Sequence, residues 1–369
     1  MQDHILSRRG PRRWPPQFFN GLSNCYCCQP HYWIRKYSNL QTMPVVAQVE
    51  AYPRPDTVDT SYDYFVNRMI CRGNHVCVNA HWVMKDRSVK EIFVRYDKDL
   101  SFINAVQLTV SDSLPLMDWD SNGFEIAVMT KASIYFYNSS GSLVFTITPP
   151  SGEAPQRCAV DSTGVLYFTT FKKATTFPFI DQRFLYKYSS LGVLQWKNST
   201  TPTDESLLRC SADDYVWIYR GSIQLMERRS GTGALTSATV ACGLYGTFDG
   251  FSDGSSGLWI VQKDTTTTFV SHSTSALTRD QRWQVRIGEP LISNTSFAFN
   301  GTSQVIAQFF DDERTYSYSA SGSLDWQRLR SETPNYWGGN GRSKYPWHYV
   351  TSAGFMDGCI YFAGTETPP

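Results

Sequence analysis

The sequence predicts an all-β protein, a seven-bladed β-propeller whose last blade contains both ends of the ring. A short strand that follows a turn signal recurs seven times, and a hairpin of fixed spacing follows most copies. The strand starts lie roughly 40 to 55 residues apart, which is the period of a propeller blade. The recurring strands are His75–Asn79, Phe124–Thr130, Val165–Phe171, Tyr215–Tyr219, Leu258–Gln262, Gln304–Phe310 and Cys359–Ala363.

The hairpin is clearest in three copies, which begin at Tyr135, Tyr186 and Tyr316. In each copy, aromatic residues stand six and four positions before a glycine, a leucine stands two after it, and an aromatic residue stands four after it. Alternating aromatics are typical of strands with one buried face, and Ser or Asn beside Gly is typical of a tight turn. The motif therefore predicts the outer strands, C and D, of a four-stranded blade. Weaker copies are Ile92–Leu108, Gln224–Leu235 and Phe269–Trp283.

No hairpin follows Cys359–Ala363, so the missing C and D strands of blade seven are sought at the other end of the chain. Tyr32–Tyr37 followed by Val45–Val49 has the register of the hairpin in Ile92–Leu108. Aligning Tyr37 with Tyr96 places Gln48 on Gln107. We therefore expect N-terminal strands C and D to pair with C-terminal strands A and B, which closes the ring. The alternative is a miscounted blade, with residues 32–49 belonging to an unrelated arm.

These repeats resemble the quinoprotein-like propeller superfamily, whose blades often read Tyr-x-Leu-Asp-x-x-x-Gly-x-x-x-Trp. The resemblance covers residues 32–364 and implies the fold. Enzymes of that superfamily need a quinone pocket, usually with a vicinal disulfide and calcium ligands. The adjacent cysteines of this chain, Cys27 and Cys28, lie outside the repeats. The sequence therefore predicts neither a quinone cofactor nor a metal.

Composition excludes several classes of protein. The chain has 369 residues, 41% of them hydrophobic and 15% aromatic, and a net charge of +1, which argues against nucleic acid as a partner. No apolar run has the length of a transmembrane helix, and residues 1–16 lack the apolar core of a signal peptide. Nine scattered cysteines favour synthesis in a reducing compartment. We expect a virion protein or a cytoplasmically synthesised assembly component.

Residues 1–31 differ in kind from residues 32–369, because they are rich in Arg, Pro and aromatic residues and match no repeat. The sequence predicts that this arm docks on other protein subunits of a particle. Cys25, Cys27 and Cys28 with His31 lack the paired spacing of a zinc site, so free or packed thiols are expected. The predicted partner-binding residues of the arm are Arg8, Arg9, Arg12, Arg13, Trp14, Phe18 and Phe19.

Alternating strand direction places the B–C and D–A connections on one face, here called the long-loop face, and the A–B and C–D turns on the opposite, short-turn face. The longest connections are predicted at 171–183, 263–268 and 330–348. The last contains Tyr336, Trp337, Tyr345 and Trp347, which suit a glycan, receptor or protein surface. Packing over the channel mouth is the alternative. Carboxylates predicted near that mouth are Asp118, Glu153, Asp204, Glu205 and Glu289.

The sequence contains no His-x-x-x-His pair and no phosphate loop. We therefore predict a non-catalytic structural protein of a large assembly, with a phage virion or tail-like particle as the first choice. A surface or periplasmic propeller that binds carbohydrate or protein is one alternative. A glycan-active propeller enzyme is another, and carboxylates about 5 to 10 Å apart at the channel mouth would favour it.

Overall fold

The fold is described from a computed structural model, which covers most of the chain from His31 to Glu366. The described ranges are 31–39, 45–50, 61–84, 89–108, 116–175, 180–200, 207–211, 213–220, 225–240, 247–253, 255–263, 267–274, 279–287, 295–301, 303–309, 314–329 and 349–366. Within these ranges, no helix is long and apolar enough to cross a membrane.

Twenty-eight strands are described, and they form seven antiparallel sheets of four strands each. Blades 1 to 3 contain β3 (Ser61–Arg72), β4 (His75–Met84), β5 (Val89–Asp97), β6 (Phe102–Gln107); β7 (Leu116–Ser121), β8 (Ile126–Thr130), β9 (Ile134–Tyr137), β10 (Leu143–Ile147); β11 (Glu153–Val160), β12 (Leu166–Lys172), β13 (Gln182–Tyr188) and β14 (Leu194–Thr200). Blades 4 to 6 contain β15 (Leu207–Cys210), β16 (Val216–Arg220), β17 (Leu225–Arg229), β18 (Leu235–Val240); β19 (Thr247–Ser252), β20 (Leu258–Lys263), β21 (Thr267–Ser273), β22 (Arg279–Ile287); β23 (Thr295–Asn300), β24 (Gln304–Phe309), β25 (Arg314–Ser319) and β26 (Leu324–Leu329). Blade 7 contains β27 (Tyr349–Met356), β28 (Cys359–Glu366), β1 (His31–Ser38) and β2 (Val45–Glu50).

The predicted seven-bladed propeller is confirmed, and each recurring strand of the sequence is the B strand of a blade. The A strands lie innermost, because A strands of neighbouring blades contact one another. Three strand starts were predicted too early: β12 begins at Leu166 and β16 at Val216, each one residue later than predicted, and β8 begins at Ile126, two residues after Phe124. The Oδ1 atom of Asn122 accepts hydrogen bonds from the backbone N–H groups of Phe124 and Glu125, at 2.9 and 2.8 Å, which hold both residues in the A–B turn.

Ring closure through blade 7 is also confirmed. The strand order is β2, β1, β28, β27, and β1 pairs antiparallel with β28 from His31 opposite Glu366 to Ser38 opposite Cys359. The predicted equivalence of Gln48 and Gln107 is wrong by two residues, because Gln48 pairs with Arg35. The connection between β1 and β2 is two residues longer than the matching turn of blade 1, so the second strand is displaced while its buried face is kept.

Apolar side chains pack between the facing sides of adjacent blades. Every side chain of β8 and β16 is buried, because neighbouring blades cover both faces of these strands. Such strands read as short continuous apolar runs and not as alternating patterns. Ile34, Val78 and Tyr361 belong to the cluster that joins the closing blade to blade 1.

Each of the seven C–D hairpins has a bulge at the second residue of its D strand, directly after the turn. Glycine takes the left-handed conformation in several of these turns, for example Gly192 at φ 80°. Blade 1 has no glycine there, and Leu100 adopts φ 64° instead. The Asp97 carboxylate accepts hydrogen bonds from the N–H groups of Asp99 and Ser101, at 2.9 and 2.8 Å, and Leu100 is buried against blade 7. Local hydrogen bonds and packing thus stabilise the turn of blade 1, although the glycine of the sequence motif is absent there.

Candidate functional site

A second set of bulges lies in the A strands, around the central channel. Five A strands carry a bulge at matching positions. The residue that follows the bulge lies four or five residues before the A–B turn, and it is polar in all five strands. Bulges re-aim side chains and often occur beside functional sites. The fifth of these residues is Asp249, and we call the other four the polar collar: Arg68, Asp118, Arg157 and Ser352.

Asp118 joins the inner strands of three blades. Its Oδ2 atom accepts a hydrogen bond from the backbone N–H of Cys158 in blade 3 at 3.2 Å, and its Oδ1 atom lies 3.6 Å from Nη1 of Arg68 in blade 1. The same Nη1 atom donates to the backbone oxygen of Trp119 at 3.0 Å. One carboxylate and one guanidinium thus link the A strands of blades 1, 2 and 3.

The same kind of contact recurs at the junction of blades 2 and 3 and at two other junctions between blades. Ser352 Oγ accepts from the N–H of Met69 at 3.0 Å, and Asp120 Oδ2 accepts from the N–H of Val160 at 2.9 Å. Arg209 Nε donates to the backbone oxygen of Gly250 at 3.1 Å. The inner edge of an A strand has N–H and C=O groups that no further strand pairs. The polar side chains of the channel satisfy these groups and so tie one blade to the next.

Asp120 is the most deeply buried acid of this region, with no exposed surface. Its Oδ2 atom also lies 3.5 Å from Nη1 of Arg72, whereas its Oδ1 atom has no hydrogen-bond partner within the described ranges. Burial raises the pKa of the nearby Cys158 thiol well above its ordinary value, and the charges of Asp118 and Asp120 raise it further. This thiol therefore stays protonated and is a poor nucleophile.

Glu153 lies at the first position of β11, on the long-loop edge of blade 3. Its carboxylate accepts hydrogen bonds from Thr170 Oγ1, Tyr186 OH and Lys197 Nζ, each at 2.7 Å. These partners come from the B, C and D strands, so one buried carboxylate links all four strands of the blade. Burial raises the pKa of Glu153, but the hydrogen bonds from Lys197, Thr170 and Tyr186 lower it more, so the net shift is downward.

Two further buried acids lie at A–B turns, on the short-turn face. Asp161 Oδ1 accepts from Val165 N and from the N–H and Oγ1 of Thr163, and burial raises its pKa. Asp253 Oδ2 lies 2.8 Å from Nε2 of His272. Burial raises the pKa of Asp253, but hydrogen bonds, that of His272 foremost, lower it more, so the net shift is downward. Both acids fix the geometry of their own turns.

The structure describes two of the five predicted channel-mouth carboxylates and keeps them in separate networks: Asp118 in the collar and Glu153 across blade 3. The described residues contain no group of three or more His, Cys, Asp or Glu side chains that would hold a metal ion. The other three carboxylates, Cys25, Cys27, Cys28 and all predicted partner-binding residues lie outside the described residues. Those partner-binding residues are Arg8, Arg9, Arg12, Arg13, Trp14, Phe18, Phe19, Tyr336, Trp337, Tyr345 and Trp347.

Sequence reasoning missed Arg68, Arg157, Arg209 and Ser352, which line the inner strands. A signal for one of them was present, since Arg209 stands in an otherwise apolar strand, Leu207–Cys210. A charged residue in a strand that is otherwise apolar indicates that its side chain has a polar partner. The bulges themselves have no signature in the sequence.

Comparison with known proteins supports the fold. No protein-family profile matches the sequence, and no curated protein is significantly similar to it. Among solved structures, the C-terminal WD40 domain of Sif2 matches with a TM-score of 0.52 and 11% identity, over 93% of this chain and 91% of that one. A streptogramin B lyase matches with a TM-score of 0.51 and 12% identity, over 91% and 98%. The Pan2 WD40 domain of Neurospora crassa matches with a TM-score of 0.52 and 10% identity, over 90% and 95%.

Identities this low establish a shared architecture and nothing about activity. The similar structures include WD40 domains as well as a lyase, and each aligns with nearly the whole described ring. These comparisons agree with the observed topology, which has seven four-stranded sheets, inner strands joined around a channel, and a ring closed by its two ends. The chain is a seven-bladed β-propeller.

Proposed function

We propose that the protein is a non-catalytic interaction protein, a rigid ring that carries an N-terminal docking arm and serves as a component of a large assembly. A virion or tail-like particle is the assembly that the sequence favours, and residues 1–31 are the segment that would anchor the ring. The blades resemble those of quinoprotein-like propellers in their sequence pattern, and we propose no quinone cofactor for this protein.

The observation that supports this proposal best is the role of the polar groups around the channel. Asp118, Asp120 and Ser352 each accept a hydrogen bond from the main chain of a neighbouring A strand. A general acid or base must reach a substrate proton within hydrogen-bond distance. Side chains that are held by strand edges are better suited to keeping a ring rigid than to proton transfer. A rigid ring is what an assembly component requires.

The composition of the arm supports docking on a protein. Trp and Arg are enriched among the residues that contribute most to binding at protein interfaces, at about 2 kcal/mol or more each when central. Trp14 is flanked by Arg12 and Arg13 on one side and by Phe18 and Phe19 on the other. A Pro-rich segment of this length has too little apolar surface to fold alone, so a partner is needed to order it.

The test replaces Trp14 and Phe18 with Ala in the full-length chain. We expect the double variant to sediment as free protein in extracts of cells that make the assembly, whereas the unmodified chain sediments with particles. The melting temperature of the ring should be unchanged. A double variant that still sediments with particles would contradict the docking role of the arm.

A second measurement separates docking from packing on the protein's own ring. The purified full-length chain is treated with a protease that cleaves after Arg, without any partner. We expect cleavage at Arg8 to Arg13 long before cleavage in the blades. An arm that resists cleavage in the isolated protein would be packed on its own propeller, and the docking proposal would fail.

A further inference from the structure

The C–D turn of blade 1, residues 97–101, contacts blade 7 on both sides of the pairing between β1 and β28, which we call the seam. On the N-terminal side, Lys36 lies in β1, and its Nζ atom is 2.7 Å from Oδ1 of Asp99 in the turn. On the C-terminal side, Tyr361 lies in β28, and its OH group donates to the backbone oxygen of Lys98 at 2.6 Å. One turn of blade 1 thus binds both strands of the seam.

Two more contacts join the same turn to blade 7. The Nζ atom of Lys98 lies 2.9 Å from Oδ2 of Asp357, which belongs to the turn between β27 and β28. Leu100, at the tip of the blade 1 turn, is buried in one cluster with Ile34 of β1 and Tyr361 of β28. The turn therefore contacts three of the four strands of blade 7 or the turn between them, and it does so with ion pairs as well as apolar packing.

Equivalent contacts in other blades use a different kind of acceptor. Arg95 of blade 1 and Lys187 of blade 3 stand at the position of Lys36, directly before the last tyrosine of their C strands. Arg95 donates to the backbone oxygen of Ser139, and Lys187 donates to that of Gly231 at 2.8 Å. Both acceptors are neutral main-chain oxygens in the C–D turn of the next blade. At the seam the acceptor is a carboxylate, so dissolved ions screen this contact more strongly than the other two.

Both ion pairs at the seam are charged at neutral pH and accessible to solvent. The hydrogen bond and the charge of Lys36 lower the pKa of Asp99, and the hydrogen bond and the charge of Asp357 raise the pKa of Lys98. The side chains of Asp99, Lys98 and Asp357 are 64%, 44% and 49% exposed. Exposed ion pairs of this kind are weakened by salt and by competing charges.

We propose that residues 97–101 are an electrostatic clasp that keeps the ring closed and whose release allows the seam to open. The contacts of the clasp lie near the end of the seam where Ser38 is opposite Cys359. When its ion pairs are screened or removed, β1 and β28 lose a common attachment to blade 1. The two strands then separate more often, while the other six blades stay folded. The clasp acts without the arm, residues 1–31.

The test compares two Asp→Asn substitutions in the full-length chain, each of which removes one ion pair of similar geometry. Asp99 lies 2.7 Å from Lys36, and Asp213 of blade 4 lies 2.6 Å from Arg228; the two cationic side chains are 6% and 9% exposed. Hydrogen exchange followed by mass spectrometry measures the opening of each blade separately. Asp99→Asn should raise the exchange rate of β1 and β28 about two- to fivefold, the effect of one partly exposed ion pair. Asp213→Asn should leave that rate unchanged.

The dependence on salt provides a second measurement. Raising the salt concentration from about 0.1 M to about 1 M shortens the screening length from about 10 to about 3 Å. In the unmodified chain, this change should speed exchange in β1 and β28 relative to the strands of blade 2. In the double variant Asp99→Asn with Asp357→Asn, which has lost both ion pairs of the clasp, exchange at the seam should already be fast and should respond little to salt.

Equal exchange of β1 and β28 in the two single variants would overturn the proposal, as would exchange at the seam that does not respond to salt in the unmodified chain. Exchange of all seven blades at one common rate would also overturn it, because the seam would then open only when the whole ring unfolds. Replacing Trp14 and Phe18 should leave exchange at the seam unchanged, so failure of the arm proposal remains distinguishable.

Discussion

Replacing Glu153 with Gln tests whether a carboxylate at the edge of the channel stabilises the ring or serves catalysis. The Glu153 side chain is 3% exposed, and it accepts three hydrogen bonds at 2.7 Å. A Gln amide can still accept from Thr170 and Tyr186 through its oxygen, but its NH2 group then faces the ammonium of Lys197. A hydrogen bond to a charged group contributes about 1.5–3 kcal/mol. Because Lys197 is one third exposed, we expect a loss of about 2 kcal/mol in the free energy of unfolding.

Urea unfolding at neutral pH measures this loss as a lower midpoint with an unchanged slope. The folded-state pKa of Glu153 lies below its ordinary value of 4.5, so the stabilisation is fully present above that value. It disappears as the pH falls through the folded-state pKa and Glu153 becomes protonated in the folded protein. The difference between the unmodified chain and Glu153→Gln should therefore shrink in acid.

Lys197→Met supplies the matched control. The Lys197 ammonium lies 3.8 Å from the centre of the Phe184 ring, and Met keeps apolar contact there while removing the charge. We expect the two substitutions together to cost less than the sum of the single ones, because they remove the same ion pair. Additive losses would refute the coupling. An unfolding midpoint that Glu153→Gln leaves unchanged would refute the structural role of Glu153.

The remaining predictions concern a turn, the collar and a buried thiol. Gly192→Ala should destabilise by about 2–4 kcal/mol, because a Cβ atom there meets Phe145 and φ is positive, whereas Gly358→Ala has open space and should cost only about 1 kcal/mol in chemical denaturation. Asp118→Asn should preserve particle binding and shift the melting temperature only slightly, since an amide oxygen can still accept from the neighbouring strand; loss of an activity with folding unchanged would favour an enzyme. Cys158 should remain unalkylated at pH 8 in the native protein and react only after unfolding, as peptide mass mapping would show.

Local patterns in the sequence predict most of this architecture. The Tyr-x-Tyr and Gly-x-Leu spacing of residues 135–145 specifies a strand, a turn and a strand, and β9 and β10 form there. The B strands are apolar because neighbouring blades cover both faces, so their runs are visible without knowledge of the contacts. Closure by β1 and β2 follows from counting hairpins against inner strands. The errors at Gln48 and Phe124 arise from turn lengths and turn hydrogen bonds, which are specific to individual loops.

The channel could not be predicted to the same extent, because its contacts join residues of different blades. Asp118 meets Arg68 and the N–H of Cys158 only after three blades have assembled. A bulge shifts the register by one residue, and no residue type marks that shift in Leu116–Ser121. Glu153 was recognised as an acid near the channel mouth, but its three partners lie 17, 33 and 44 residues further along the chain. Sequence separation on this scale hides the network.

The closing blade also determines how the ring would respond to mechanical force. His31 lies directly opposite Glu366, at the same end of the antiparallel pair formed by β1 and β28. Tension applied through the residues that precede β1 and those that follow β28 would pull only this pair of strands apart, starting at the end where His31 faces Glu366. The hydrogen bonds between the two strands would then break one after another and not all at once. Tension applied through two other points, such as opposite blades, would have to shear several strand pairs together. The propeller would thus resist stretching across the ring yet open readily at its seam.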